Sequence, residues 1–132
     1  MSNQQINIKT VGAGIPFVFQ HGLGANISQV EQLLGHIKGI KWVFMDMPGH
    51  GNSILTNDAT PSFDFYTDTV VSSLDKLGIN AAHFGGISMG AGIALNMALR
   101  YPEKVQGLFL VRPAWINEPS PDNLKILLKA AN

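Results

Sequence analysis

One serine lies where covalent chemistry could take place. Residues 86–90 read Gly-Ile-Ser-Met-Gly, preceded by a short apolar run and followed by a segment rich in small residues. Glycines at both ends of this pentapeptide permit a tight strand-to-helix turn, which strains the central residue and lifts its side chain out of the sheet. The pattern predicts a nucleophile elbow in which the hydroxyl of Ser88 attacks. The alternative is a turn that only packs a helix against a strand.

A second loop could supply hydrogen-bond donors to the same reaction. Residues 21–24, His-Gly-Leu-Gly, directly follow another apolar run, and the glycines beside Leu23 let its amide point toward Ser88. We expect the amides of Leu23 and Met89 to form a two-donor oxyanion hole, unless the loop is an ordinary strand-to-helix turn. We expect the histidine of the loop to orient it by a hydrogen bond. The supporting residues of the predicted site are His21, Gly22, Gly24, Gly86 and Gly90.

Apolar runs alternate along the chain with patterns typical of helices. Continuously apolar strands that alternate with helices predict a parallel sheet with right-handed crossovers. The sequence therefore predicts an α/β fold, with a mostly parallel sheet between helices on both faces in three α/β/α layers. The predicted strands are Ile6–Val11 at one edge, Pro16–Gln20, Lys41–Met47, Ala82–Ile87 and Gly107–Val111, and the predicted helices are Asn26–Lys38, Ser62–Leu77 and Met89–Tyr101.

The first two helices carry recognisable end signals. Ser28 and Glu31 have capping-box spacing, which predicts the start of the first helix. Gly78 predicts the end of the second helix. Periodicity also predicts an inward apolar stripe on each helix, and its members include Leu33, Ile37 and Leu77.

Composition narrows the classes of partner. The chain has 132 residues, enough for one domain with a core, and its 9 basic and 9 acidic side chains cancel. Because no basic surplus is available to neutralise phosphates, we expect no nucleic-acid partner. A small uncharged or weakly polar substrate fits this balance better.

Cofactors, membranes and export are not indicated by the sequence either. It contains no cysteine, and no helix carries a histidine–carboxylate pair at ligand spacing, so we expect neither a disulfide nor a metal site. The glycines around Ser88 match neither a dinucleotide-binding motif nor a phosphate loop, so we expect no cofactor. The first residues lack signal-peptide features, and no apolar stretch reaches the roughly 18 residues of a membrane span. We therefore expect a cytoplasmic protein.

Four motifs in order resemble the α/β-hydrolase fold family, and specifically its serine esterases and lipases. Residues 21–24 resemble its oxyanion loop, residues 46–53 its D-x-x-G-x-G-x-S turn, and residues 86–90 its elbow, while Tyr-Pro-Glu-Lys-Val at 101–105 precedes a typical strand. The order and spacing match over roughly residues 6–113, the N-terminal half of the family's fold. The resemblance implies a Ser-acid-His hydrolase of small acyl substrates, usually esters. Serine at position 88 argues against the branches that use a carboxylate nucleophile.

The resemblance implies a catalytic acid and then a histidine after the serine. All 4 histidines precede Ser88, and we expect structural roles for each of them. Glu118 is a candidate acid, or else a solvated loop carboxylate, while Asp46 would pin its own turn. We therefore expect this chain to be a truncated fold that lacks the last strands and helix and turns over little or no substrate. Residues 1–118 would form the core and residues 119–132 the start of a lid helix.

Loss of later strands would leave Gly107–Val111 as an unpaired, uncharged edge. We expect this edge to pair with a second copy, or Pro121–Ala131 to fold over the exposed apolar surface. The expected substrate is a small ester. Two other functions stay open: a non-catalytic binding or assembly module, and a cofactor-free haloperoxidase or perhydrolase that uses the same residues.

Overall fold

A computed structural model describes residues 5–113 as a five-stranded sheet with three α-helices. The strand order is β1-β3-β2-β4-β5, with β1 antiparallel to β3 and every other pairing parallel. Glu118 and the predicted lid helix lie outside the described residues. The strands are β1 Ile8–Val11, β2 Ile15–Gln20, β3 Ile40–Met45, β4 Ala82–Ile87 and β5 Val105–Val111; the helices are α1 Ile27–Leu34, α2 Phe63–Lys76 and α3 Met89–Arg100, with a 3₁₀ turn at Pro102–Lys104.

Helices cover both faces of the sheet. Along β2 and β3 successive side chains point to opposite faces, as the period of two requires. Val18 and Val43 belong to the core cluster that includes buried residues of α2 and α3. Phe19 and Phe44 belong to a second cluster, together with Ile27 of α1. The predicted fold class, a mostly parallel sheet in three α/β/α layers, is confirmed.

The start of α1 differs from the prediction because a tertiary contact determines it. The Ile27 amide donates to Oδ1 of Asp46 at 2.8 Å, which begins the helix one residue before Ser28. Asn26 is the N-cap, and its Oδ1 accepts from the amide of Ser28 at 2.9 Å. The predicted capping box is therefore wrong, and Glu31 instead forms an ion pair with Lys9 at 2.8 Å.

Three predicted inward side chains are exposed. The helix α1 ends at Leu34, so Ile37 lies beyond it and is 40% exposed, while Leu33 is 49% exposed on its solvent side. In α2 the N-cap is Ser62, whose hydroxyl accepts from the Phe65 amide at 3.0 Å. Leu77 is the C-cap residue of α2 and is 41% exposed, with Gly78 following in the left-handed region at φ 72°.

The strand expected to self-associate lies at one edge of the described sheet. Leu108 and Phe109 of β5 are 42% and 57% exposed; the association itself stays a prediction. In the 5–113 range, none of the helices has both the length and the apolar character needed to cross a bilayer.

Candidate active site

Ser88 occupies a strained turn between β4 and α3. Its φ of 56° and ψ of −113° are uncommon for a residue with a Cβ atom, and such conformations persist only where surrounding structure imposes them. The Ser88 amide donates to the carbonyl of Val111 at 3.0 Å, and its carbonyl accepts from the amides of Ala91 and Gly92. The backbone is therefore held on both sides while the hydroxyl makes no side-chain cap bond to the helix that it begins.

Both elbow glycines are required by close backbone approach. A Cβ atom at Gly86 would overlap the backbone of Gly90 and Ala91. A Cβ atom at Gly90 would overlap the carbonyl group of Gln20, at the end of the neighbouring strand β2. The G-x-S-x-G spacing thus lets β4, α3 and β2 approach within backbone contact around the serine.

The loop at residues 21–24 lies against the elbow. A Cβ atom built on Gly22 would be 3.6 Å from Cβ of Ser88. The Gly22 amide donates to Oε1 of Gln29 at 2.9 Å, and Gly24 has a φ of 78°. Within residues 5–113, no hydrogen bond is donated by the amides of Leu23 or Met89. Among the described residues these two amides therefore have no acceptor, and their role as oxyanion donors stays a prediction.

His21 links this loop to the turn that follows β3. Its Nε2 accepts from the Met47 amide at 3.0 Å, so the proton resides on Nδ1 and is donated to the Gly22 carbonyl at 2.7 Å. Burial lowers the pKa of His21 to about 4. The ring is therefore neutral at neutral pH, and both of its nitrogens are engaged in positioning the backbone.

Asp46 anchors the turn after β3. Its carboxylate accepts from Asn7 Nδ2 at 2.9 Å, the Asn52 amide at 2.9 Å and the Ile27 amide at 2.8 Å. Burial alone would raise the pKa of Asp46, but these hydrogen bonds to the charged form outweigh it and lower the pKa. Gly51 has a φ of 51°, and a Cβ atom there would overlap the carboxylate. Asp46 thus joins its own turn to α1 and to the segment before β1.

Of the other three histidines, two make ring contacts and one is exposed. The ring of His50 lies 5.0 Å from that of His21 and 6.4 Å from that of Tyr66. His83 packs on the ring of Phe17 at 5.8 Å, and His36 is exposed. Across the part of the chain that the structure describes, no histidine hydrogen-bonds to Ser88.

Two residues beside the elbow were not predicted from the sequence. Gln29 has an exposed helical position, which gives no local sign that its side chain reaches back to Gly22. Arg112 follows β5 with a φ of 46°, although the next residue, Pro113, should have pushed it into an extended conformation. Such placements depend on contacts between distant segments rather than on local pattern.

The comparisons with known proteins agree with this geometry. The sequence matches the family described as alpha/beta hydrolase fold over residues 15–131, and the chain belongs to that family. It is 36% identical over 124 residues to 2-hydroxymuconate semialdehyde hydrolase from Pseudomonas sp. (strain CF600), covering 89% of this chain and 43% of the relative. It is 30% identical over 109 residues to pimeloyl-[acyl-carrier protein] methyl ester esterase from Shewanella woodyi, covering 83% and 40%.

Solved structures show the same similarity. A meta-cleavage product hydrolase from Pseudomonas fluorescens IP01 is 28% identical with a TM-score of 0.77, covering 91% of this chain and 46% of that one. An N-acyl homoserine lactone degrading enzyme is 30% identical with a TM-score of 0.75, covering 86% and 44%. The chain therefore spans less than half the length of these relatives.

Proposed function

We propose that Ser88 is the nucleophile of a serine hydrolase that transfers the acyl group of small carboxylic esters to water. The observation that carries this proposal is the strained Ser88 backbone, held at a φ of 56° with the loop of Gly22 directly against it. Strain of this kind costs about 1–3 kcal/mol and clusters at active sites. Names of two similar proteins contain a methyl ester and an acyl lactone, and both groups are carboxylic esters.

The proposed reaction proceeds through an acyl-enzyme. Ser88 Oγ bonds to the carbonyl carbon and gives up its proton, and the carbonyl oxygen becomes an oxyanion that accepts from the amides of Leu23 and Met89. The alcohol then leaves with a proton. Water attacks the acyl-enzyme, releases the acid and restores the hydroxyl. Loss of one oxyanion donor in such a site slows the reaction by about 10²–10³.

The reaction also needs a base, and no histidine among the described residues hydrogen-bonds to Ser88. His21 donates from one nitrogen and accepts at the other, so it has no free position at which to take the serine proton. We therefore propose that acylation of this chain alone is slow, and that full turnover needs an acid and a histidine from outside residues 5–113. An oxyanion hole by itself sustains about 10³–10⁴ over the uncatalysed rate in other serine hydrolases.

Acylation by p-nitrophenyl acetate tests the proposal. We expect intact-protein mass spectrometry to show one slowly formed acetyl adduct, which peptide mapping places on Ser88. Ser88→Ala should remove the adduct, whereas Ser72→Ala, at a half-buried serine of α2, should retain it. Absence of an adduct, or its persistence in Ser88→Ala, would refute the nucleophile and favour a non-catalytic binding module.

Gly22→Ala tests the oxyanion loop separately. The new methyl group would be in ordinary contact with Cβ of Ser88, at 3.6 Å, so it narrows the space above the hydroxyl without a backbone clash. We expect acylation to slow by about 10-fold while the free energy of unfolding changes by less than about 0.5 kcal/mol. An unchanged acylation rate would place the reacting carbonyl elsewhere.

A further inference from the structure

Ser88 and Arg112 share an unusual backbone property. Among residues 5–113 they are the only non-glycine residues with positive φ, at 56° and 46°. Each directly follows a parallel strand, β4 or β5, in which Ile87 and Val111 are register partners. The Ser88 amide also donates to the Val111 carbonyl at 3.0 Å. The two strained residues therefore lie side by side at the carboxyl edge of the sheet.

Local sequence does not account for the conformation of Arg112. A residue before proline is pushed toward a φ of about −120°, and Arg112 precedes Pro113. A bulky side chain in the left-handed region adds a steric cost, which persists only where surrounding structure imposes it. The positive φ ends the extended backbone of β5 at Arg112, one residue after the register partner of Ile87.

Arg112 is exposed and forms no ion pair within residues 5–113. Arg100, the other arginine of the described chain, instead binds Asp68 at 2.8 Å and lies 3.5 Å from Asp64. A guanidinium matches a carboxylate in a planar, two-bond geometry, which makes it the preferred cation for that group.

We propose that Arg112 binds a carboxylate carried by the substrate, so that the preferred substrates are anionic esters such as half-esters of dicarboxylic acids. This inference rests on the proposed function of Ser88. The balanced net charge of the chain favours an uncharged substrate, but Arg112 carries a positive charge at the strand end beside the one that Ser88 follows. Arg112 would bind the carboxylate at one end of the substrate, and the ester group at the other end would then lie over Ser88.

Binding to Ser88→Ala tests this proposal without consuming the ester. The probes are monomethyl glutarate, which is anionic, and dimethyl glutarate, which is neutral, and Kd is measured by NMR titration. We expect the anionic ester to bind about 10-fold more tightly, as one charge-assisted pair would provide. Adding Arg112→Asn should abolish the preference, because asparagine tolerates positive φ but carries no charge. Arg112→Lys should retain part of it.

The control is Lys38→Asn in the same background. Lys38 is an exposed cation just before β3, at the opposite end of the parallel strands, and its loss should leave the preference unchanged. Equal binding of the two esters, no binding of either, or a preference that survives Arg112→Asn would overturn the proposal. Each of these results is independent of Ser88 acylation by p-nitrophenyl acetate, so this inference can fail while the proposed function stands. If the preference for the anionic ester depends on Arg112 but Ser88 is never acylated, Arg112 is an anion-binding residue and the proposed role of Ser88 as nucleophile is wrong.

Discussion

Asp46 and Ser88 are two polar residues at equivalent ends of neighbouring strands. They differ in the number of hydrogen bonds that their side chains accept. Each directly follows a strand that borders β2, and each turn contains a glycine that close approach requires: Gly51 lies against the Asp46 carboxylate, and Gly90 lies against the Gln20 carbonyl. The Asp46 carboxylate accepts three hydrogen bonds from three separate segments. The Ser88 hydroxyl accepts none within residues 5–113, and its backbone is strained.

This difference indicates that Asp46 contributes to the stability of the fold, whereas Ser88 would contribute to the proposed reaction. A buried carboxylate stabilises the fold when its charged form is fully hydrogen-bonded, because each such bond contributes about 1.5–3 kcal/mol. An unpaired hydroxyl on a strained turn contributes no comparable stability, but it is free to meet a substrate. Substitution of Asp46 should therefore lower the free energy of unfolding, whereas replacement of Ser88 by glycine should raise it.

The largest effect is expected from Gly90→Ala. Its new methyl group would overlap the Gln20 carbonyl, and backbone on both sides leaves no flexible side chain to move away. We expect the free energy of unfolding, from urea denaturation, to fall by about 4 kcal/mol. Gly24→Ala is the matched control: it adds a methyl group in open space at a φ of 78°, so it should cost only about 1 kcal/mol. A loss at Gly90 no larger than that at Gly24 would show that the backbone relieves the overlap and that close approach does not require the elbow glycine.

The second effect is a pH dependence due to His21. The folded chain keeps this ring neutral down to about pH 4, whereas in the unfolded chain it takes a proton near its ordinary pKa of about 6.5. The contribution of neutral His21 to the free energy of unfolding is therefore fully present above about pH 6.5. It declines by about 3 kcal/mol in total as the pH falls toward 4.

Urea denaturation of His21→Gln between pH 4 and 7 isolates this contribution. The glutamine can still accept from the Met47 amide but does not titrate, so the variant should lose this part of the slope while other groups keep theirs. His36→Gln changes an exposed histidine and should behave like the wild type. A slope that survives in His21→Gln would assign the proton uptake to another group.

The parts of the site that could be predicted from the sequence are those encoded within one short segment. Strand β4 has the predicted bounds, because a run of buried residues ends at the elbow glycines. The bond from Ile27 to Asp46 and the contact from Gln29 to Gly22 were missed, since each joins α1 to another segment. Arg112 was missed for a stronger reason: the following proline predicts the opposite backbone conformation.

A third and smaller effect is expected from Asp46→Asn. The asparagine keeps the shape but offers one acceptor oxygen, and its NH₂ group would face an amide such as that of Asn52 or Ile27. We expect a loss of about 2 kcal/mol at pH 7. Because the folded pKa of Asp46 is lowered, the wild-type advantage should be present above about pH 4 and should disappear as the pH falls below that value. Urea denaturation of the wild type and of Asp46→Asn at pH 7 and pH 2.5 measures the difference in stability at each pH. If the wild type is still the more stable at pH 2.5 by the same amount, the charge of Asp46 is not what stabilises the turn.

The smallest expected change is an increase in the free energy of unfolding, caused by Ser88→Gly. Ser88→Gly removes the residue whose Cβ makes a φ of 56° unfavourable, and relief of strain should exceed the added chain entropy, so we expect a gain of about 1 kcal/mol. Ser53→Gly makes the same substitution in the Asp46 turn, where the buried hydroxyl accepts from the Asn7 amide at 2.8 Å, and it should lose about 1 kcal/mol. Thermal and urea unfolding of the pair compare them directly. Changes of opposite sign would mean that Ser53 stabilises the fold, whereas the fold holds Ser88 in an unfavourable conformation. A loss of stability at both positions would mean that the Ser88 backbone is not strained, and its φ would then no longer support a role in a reaction.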